Sequence, residues 1–168
     1  MKDWLIIDGY NLVHQLFPGN SHADSGIVAK NRKNLLILLE PLVNLLASRI
    51  TVVFDGRIAG PRPGEKESEV IDVVYSPPNM SADTVIENIV WKAANPEVIL
   101  VVTSDRMERD AASASGADTI ASSLFIEKIR EERSRLRDKI QSLNKSKNNI
   151  KIGDIFDFPA DTSGIKPH

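Results

Sequence analysis

Cysteine is absent from the 168 residues, and histidine occurs only at His14, His22 and His168. The first absence excludes thiol catalysis, disulfide framing and cysteine-bound zinc or iron–sulfur centres. The second leaves a histidine-led mechanism little to build on, with His14 alone in reach of the motifs below. No apolar run approaches the about 20 residues that a bilayer span requires. The chain opens on strand-like sequence and not on a basic segment leading into an apolar signal core. A cytoplasmic protein with no membrane attachment is therefore expected. Formal net charge is only -2, from 21 basic and 23 acidic residues, so the chain has no global attraction for nucleic acid. A partner bearing phosphates would have to be held by local charge.

What is present is enough apolar residue, 42% of the chain, for one domain with a sizeable core. Three apolar runs end in a carboxylate: Trp4-Leu5-Ile6-Ile7-Asp8-Gly9, Thr51-Val52-Val53-Phe54-Asp55-Gly56 and Val98 to Val102 followed by Thr103-Ser104-Asp105. Runs without polar alternation read as strands buried on both faces of a parallel sheet. Their carboxyl ends form the rim where open α/β sheets place ligands. Val70–Tyr75 and Asp118–Ile120 supply two further strands, giving about five in all.

Helical patterns fill the intervals. Asn11 is expected to cap a short helix through Leu16. A longer helix spans about Val28 to Ser48, with Pro41 predicting a break near Glu40. Ser81 caps a helix to about Ala94, Arg106–Ser115 forms another, and a last one runs from Ser122 or Ser123 to about Leu143 with Phe125, Ile129, Leu136, Ile140 and Leu143 on its apolar stripe. Arg57 to Glu69, rich in Gly and Pro, reads as a mobile polar segment. The expected architecture is a three-layer α/β/α domain over residues 1–150. A C-terminal extension, 151–168, is expected to be partly docked and partly loose.

If the strand ends share a rim, with the order reversing between the first strand and the Val98 strand, Asp8 and Asp105 become neighbours. Asp83 then enters from the first turn of the intervening helix. Carboxylates so close raise one another's pKa unless a cation is shared. A hard divalent ion with oxygen ligands suits Asp8, Asp83 and Asp105, supported by Ser104 or Asn11. Such a centre performs phosphoryl transfer to water. Asp55 is a further ligand candidate or an ordinary Asp-Gly turn. Glu87 and Asp110 are outer candidates or solvated acids. Tyr10 is placed to stack on a base or to pack as a core ring. Arg57, Arg62 and Lys66 are candidates for contact with a phosphate backbone. The alternating signs of the helix bearing Arg130 to Lys139 describe a solvated face.

Ile6-Ile7-Asp8-Gly9-Tyr10-Asn11-Leu12, Val53-Phe54-Asp55-Gly56, Ser81 to Glu87 and Val101 to Arg106, taken in order, resemble the NYN domain, in its bacterial YacP-like branch, within the PIN-like nucleases. The resemblance implies an α/β/α nuclease binding Mg²⁺ or Mn²⁺ through Asp8, Asp83 and Asp105, with Asp55 in the acidic neighbourhood. Asn11 and Ser104 would position ligands or phosphate, and Arg106 would join the backbone contacts. It further implies an endoribonuclease acting on single-stranded RNA, including messenger RNA presented on the ribosome, and leaving 5′-phosphate and 3′-hydroxyl ends. The apolar stripes are accounted for by burial within the domain and none demands a dimer, so a monomer is expected. Three alternatives stand beside the nuclease reading: a haloacid-dehalogenase-like phosphatase, a receiver-like phosphoacceptor domain at Asp55, and a non-catalytic RNA- or ribosome-binding module. The phosphatase type needs a second Asp where this chain has Tyr10, and the receiver type needs an acidic pair missing from the first strand end.

Overall fold

The apolar runs assemble as expected. In the computed structural model, which describes residues 2–18, 25–58 and 66–148, β1 (Trp4–Asp8), β2 (Arg49–Phe54), β3 (Asp72–Tyr75), β4 (Ile99–Val102) and β5 (Asp118–Ile120) form one parallel sheet in the order β3-β2-β1-β4-β5. β1 is central because its Leu5, Ile6 and Ile7 are apolar on both faces and need cover from both layers. Ile7 stands opposite Val52 on one side and Val102 on the other. Asp8, Asp55 and the Thr103-Ser104-Asp105 turn therefore leave the sheet along the same edge.

The helices are α1 (Gly9–Leu16), α2 (Ser25–Leu39), α3 (Ala82–Lys92), α4 (Arg106–Ala114) and α5 (Ser122–Asn148). One apolar cluster holds Leu12 and Val13 of α1, Leu35, Leu36 and Leu39 of α2, and Phe125, Ile126 and Ile129 of α5 against Leu5, Ile7 and Val52. On the opposite face Ile86 and Val90 of α3 and Ala112 of α4 cover Ile6, Val53 and Val101. The break expected at Pro41 is present: α2 ends at Leu39 and Glu40–Leu42 form a single 3₁₀ turn. The described residues up to Arg133 form one compact unit, and those from Ser134 onward belong to another. Burial along α5 follows this division, since Ile140 and Leu143, expected on its buried stripe, are about half exposed.

Two sequence expectations change. Asn11 does not cap α1; Asp8 does, its Oδ1 accepting the Asn11 N–H at 3.1 Å. The Arg57–Glu69 segment is not loose at its far end. Ser68 is buried and donates to Glu40 Oε1 at 2.8 Å, and Glu67 pairs with the buried Arg32 at 3.1 Å. Ring contacts reinforce that corner: Phe54 lies against Tyr75 at 5.8 Å, and the Arg32 guanidinium sits 5.3 Å from the Tyr75 ring centre.

Both Asp-Gly steps need their glycine. A Cβ on Gly9 would stand 2.3 Å from Phe54 Cε1, and one on Gly56 would stand 2.2 Å from the Ser76 carbonyl oxygen. That carbonyl is backbone, in the stretch where Ser76 N–H donates to Phe54 O at 2.9 Å, so it cannot turn aside. Gly56→Ala is expected to cost about 3 kcal/mol, the upper part of the range for overpacking, as read by urea denaturation. A loss below about 0.5 kcal/mol would show that the β2–β3 edge can open without cost.

Candidate metal centre

Three carboxylates converge where α1, α3 and α4 begin. The α3 turn is set by Ser81, whose Oγ accepts the Thr84 N–H at 3.2 Å, placing Asp83 half-buried in the first turn. The α4 turn is set by Asp105, whose Oδ1 accepts from Met107 N–H at 2.7 Å and Glu108 N–H at 3.2 Å. Oxygen atoms of Asp8, Asp83 and Glu108 lie within 4.8 Å of one another. Asp105, the expected third ligand, caps the helix that carries Glu108 and adds its charge to the neighbourhood.

Glu108 escapes a reading of the sequence because Asp105-x-x-Glu108 has capping-box spacing, in which the acid returns to the cap residue's N–H. Here that N–H donates instead to Thr103 Oγ1 at 3.1 Å. Glu108 turns inward, only 2% exposed, and neither of its carboxylate oxygens makes a hydrogen bond of good geometry. Burial pushes its pKa up to about 8; the Thr103 hydroxyl opposes this, and the charges of Asp8, Asp83 and Asp105 add to it. Asp8 is pushed up to about 6, again chiefly by burial, against the Asn11 N–H and with help from Asp83, Asp105 and Asp55. Asp83 is raised by burial and then by Asp105. Orphaned buried oxygens on one member and three acids in mutual reach fit a hard divalent cation, which supplies the missing partner and relieves the repulsion.

The linkage has a definite sign. Asp8 and Glu108 hold protons more tightly in the fold than at their ordinary values of 3.8 and 4.5. Their stabilising share is thus complete below those values and is lost as pH rises through about 6 and about 8. In EDTA, melting at pH 8.5 is expected a few degrees below that at pH 5.5, one kcal/mol corresponding to about 2–4 °C for a chain of this size. Mg²⁺ is expected to raise the melting temperature more at pH 8.5, where protons no longer compete. A larger Mg²⁺ effect at pH 5.5 would contradict the carboxylate assignment.

A shallow cleft of about 270 Å³ opens over Asp8 and Asp83 and is also lined by Asn11, His14, Asp55 and Arg57. Asn11 uses Oδ1 to accept from Ser104 N–H at 3.1 Å, Ser122 Oγ–H at 2.7 Å and Gln15 Nε2–H at 3.4 Å. Ser104 Oγ accepts from Gln15 Nε2–H at 2.6 Å. Both residues thus tie α1 to the ends of β4 and β5. Asp55 is forked by the Arg57 guanidinium, Nε to Oδ1 at 2.9 Å, which holds its pKa below the usual carboxylate range. Its charge is spent on that pair. Tyr10 is 6% exposed with its ring edge-on to Phe54 at 5.2 Å, so of its two readings the packed core ring is the one observed. Lys66 pairs with Glu69 away from the cleft, and Arg106 extends into solvent 3.9 Å from Asp110. Glu87 is exposed on α3. Arg62 and the extension 151–168 lie outside the described residues.

Residues 5–155 match the YacP-like NYN domain family. The chain belongs to that family. This places the YacP-like domain within the PIN-like nucleases, and its acid cluster is compatible with the divalent-cation dependence general among NYN nucleases. Its fold is shared by the crystal structure of Rae1 (YacP) from Bacillus subtilis, with a TM-score of 0.73 and 21% identity, covering 90% of this chain and 87% of that one. A second crystal structure of the same Bacillus subtilis protein, of a mutant form, gives a TM-score of 0.65 at 23% identity, covering 84% of this chain and 83% of that one. No curated protein matches this YacP-like sequence.

Proposed function

We propose that this protein is an endoribonuclease that hydrolyses single-stranded RNA with the help of Mg²⁺ or Mn²⁺, leaving 5′-phosphate and 3′-hydroxyl ends. The observation that carries the reading is the approach of Asp8, Asp83 and the orphaned, buried Glu108 to within 4.8 Å, in a chain of a nuclease family. These three would hold the cation, with Asp105 bracing the turn that presents Glu108. A bound cation lowers the pKa of its water and offsets charge on the phosphate. The remaining work falls to the protein. Asp8 and Asp83 face the cleft from two helix starts, so their positions are held by cap hydrogen bonds rather than by mobile loops. Asn11 and Ser104 keep the surrounding turns in register. Arg57 gives Nε and Nη2 to Asp55 and, being exposed, keeps Nη1 to offer a phosphate oxygen.

The same reading has the protein acting in the cytoplasm as a monomer on messenger RNA presented by the ribosome. Among the described residues no helix is long and apolar enough to cross a membrane. The packed Tyr10 occupies the position where a haloacid-dehalogenase-like phosphatase needs its second acid, which disfavours that chemistry. The discriminating assay supplies end-labelled RNA, free or on translating ribosomes, with Mg²⁺, Mn²⁺ or EDTA. Cleavage of free RNA supports the simple enzyme, and cleavage only on ribosomes supports a presented substrate. No cation-dependent cleavage in either setting would leave the non-catalytic binding module.

A further inference from the structure

The helix α2 carries Lys30, Arg32 and Lys33 and no carboxylate anywhere in Ser25–Leu39. This is unusual in a chain whose acids outnumber its bases, and it contrasts with α5, where Arg130, Arg133 and Arg137 alternate with Glu131, Glu132 and Asp138. Arg32 turns inward to Glu67. Lys30 and Lys33 are exposed, one turn apart, and neither makes an ion pair among the described residues. Both line a groove of about 500 Å³ whose other charged walls are Arg32, Lys66 and Glu67. Glu67 balances Arg32. Lys66 pairs with the solvent-exposed Glu69, a pair that exchanges readily with another anion. Among the described residues the groove is left net positive.

Its position matters as much as its charge. The Arg32 guanidinium that forms its inner wall lies 5.9 Å from the Phe54 ring centre, and Tyr10, edge-on to that same ring, lines the cleft over Asp8. Groove and cleft are thus linked through the Phe54 ring, which one wall residue of each approaches. Resting on the endoribonuclease reading, we infer that Lys30 and Lys33, with Lys66 across the groove, hold the phosphate backbone of the RNA strand beyond the cleft. Lysine ammonium groups on an open groove neutralise phosphates without reading bases, so the subsite adds affinity and register but no sequence preference.

The test compares Lys30→Gln/Lys33→Gln with Arg130→Gln/Arg133→Gln, which removes equal charge from α5. Binding of a fluorescent single-stranded RNA 20-mer is followed by anisotropy over a salt series, with Asp8→Asn in every protein to prevent cleavage. Loss of two phosphate contacts is expected to flatten the slope of log affinity against log salt by about 1.4 and to weaken binding roughly 10-fold at low salt. The α5 variant is expected to keep the parent slope. With Asp8 intact, the α2 variant is expected to raise KM for the 20-mer with kcat unchanged, and to cleave a trinucleotide as the parent does. An unchanged slope, an equal loss in both variants, or loss of binding to poly-glutamate with RNA binding retained would each overturn the subsite. Absence of RNA binding and cleavage in the unaltered protein would overturn the endoribonuclease reading itself.

Discussion

Asp8→Asn is expected to abolish cation-dependent RNA cleavage, by at least ~10³-fold, while leaving the cation-free protein as stable as before or more so. The two halves have one cause. Asn is as good an N-cap as Asp, so the Oδ1 contact with the Asn11 N–H that starts α1 survives. What disappears is a carboxylate 8% exposed, pushed up to about 6 by burial and by Asp83, Asp105 and Asp55. Without a cation its charge is a burden on the fold; on the proposed reading a cation turns that burden into a ligand. A loss of ~10³-fold corresponds to about 4 kcal/mol of transition-state stabilisation, within what one bound cation supplies. Single-turnover cleavage and melts in EDTA and in Mg²⁺ read both halves. The variant should also lose most of the Mg²⁺-induced rise in melting temperature. Cleavage within ten-fold of the parent would remove Asp8 from the site.

Glu67→Ala is expected to cost about 3 kcal/mol of stability, as much as truncating a buried core side chain. Glu67 Oε1 accepts from Arg32 at 3.1 Å and from the Tyr75 hydroxyl at 2.7 Å, and the Arg32 side chain is only 7% exposed. Breaking a buried pair leaves a charge without its counterion, at a cost of about 3–5 kcal/mol. The lower figure applies because Glu67 Oε2 is itself buried without a hydrogen bond, so truncation also relieves a cost that the parent already carries. Replacing both partners, as in Arg32→Met with Glu67→Leu, should recover most of the loss. Urea denaturation of the two variants settles it. A single-variant loss below about 1 kcal/mol would mean that Arg32 is held mainly by its rings and neighbours.

The sheet is legible because parallel strands buried on both faces leave an unmistakable mark, and the runs at Trp4, Thr51 and Val98 each end at the same edge. Asp8 and Asp83 are legible for a related reason: one follows a wholly apolar strand and the other follows a capping serine. Glu108 is not, because its spacing from Asp105 imitates a capping box, and only the competing Thr103 hydroxyl frees it to turn inward. Asn11 reads as a cap because Asp8, the residue that performs that task, stands at the end of the strand and reads as a rim carboxylate. The Arg32–Glu67 pair joins a helix to a segment that composition alone marks as loose. No local pattern announces a contact made across 35 residues of chain.

The central place of β1 sets the order in which the acid cluster can assemble during synthesis. Asp8 is made 100 residues before Glu108, and β1 lacks its second flanking strand until Ile99–Val102 have emerged. A growing chain therefore carries a single acid, then two, and gains the third only once α4 has been made and has settled against the sheet. Three acids on three separate elements thus become neighbours only when β1, α3 and α4 are all in place around the sheet.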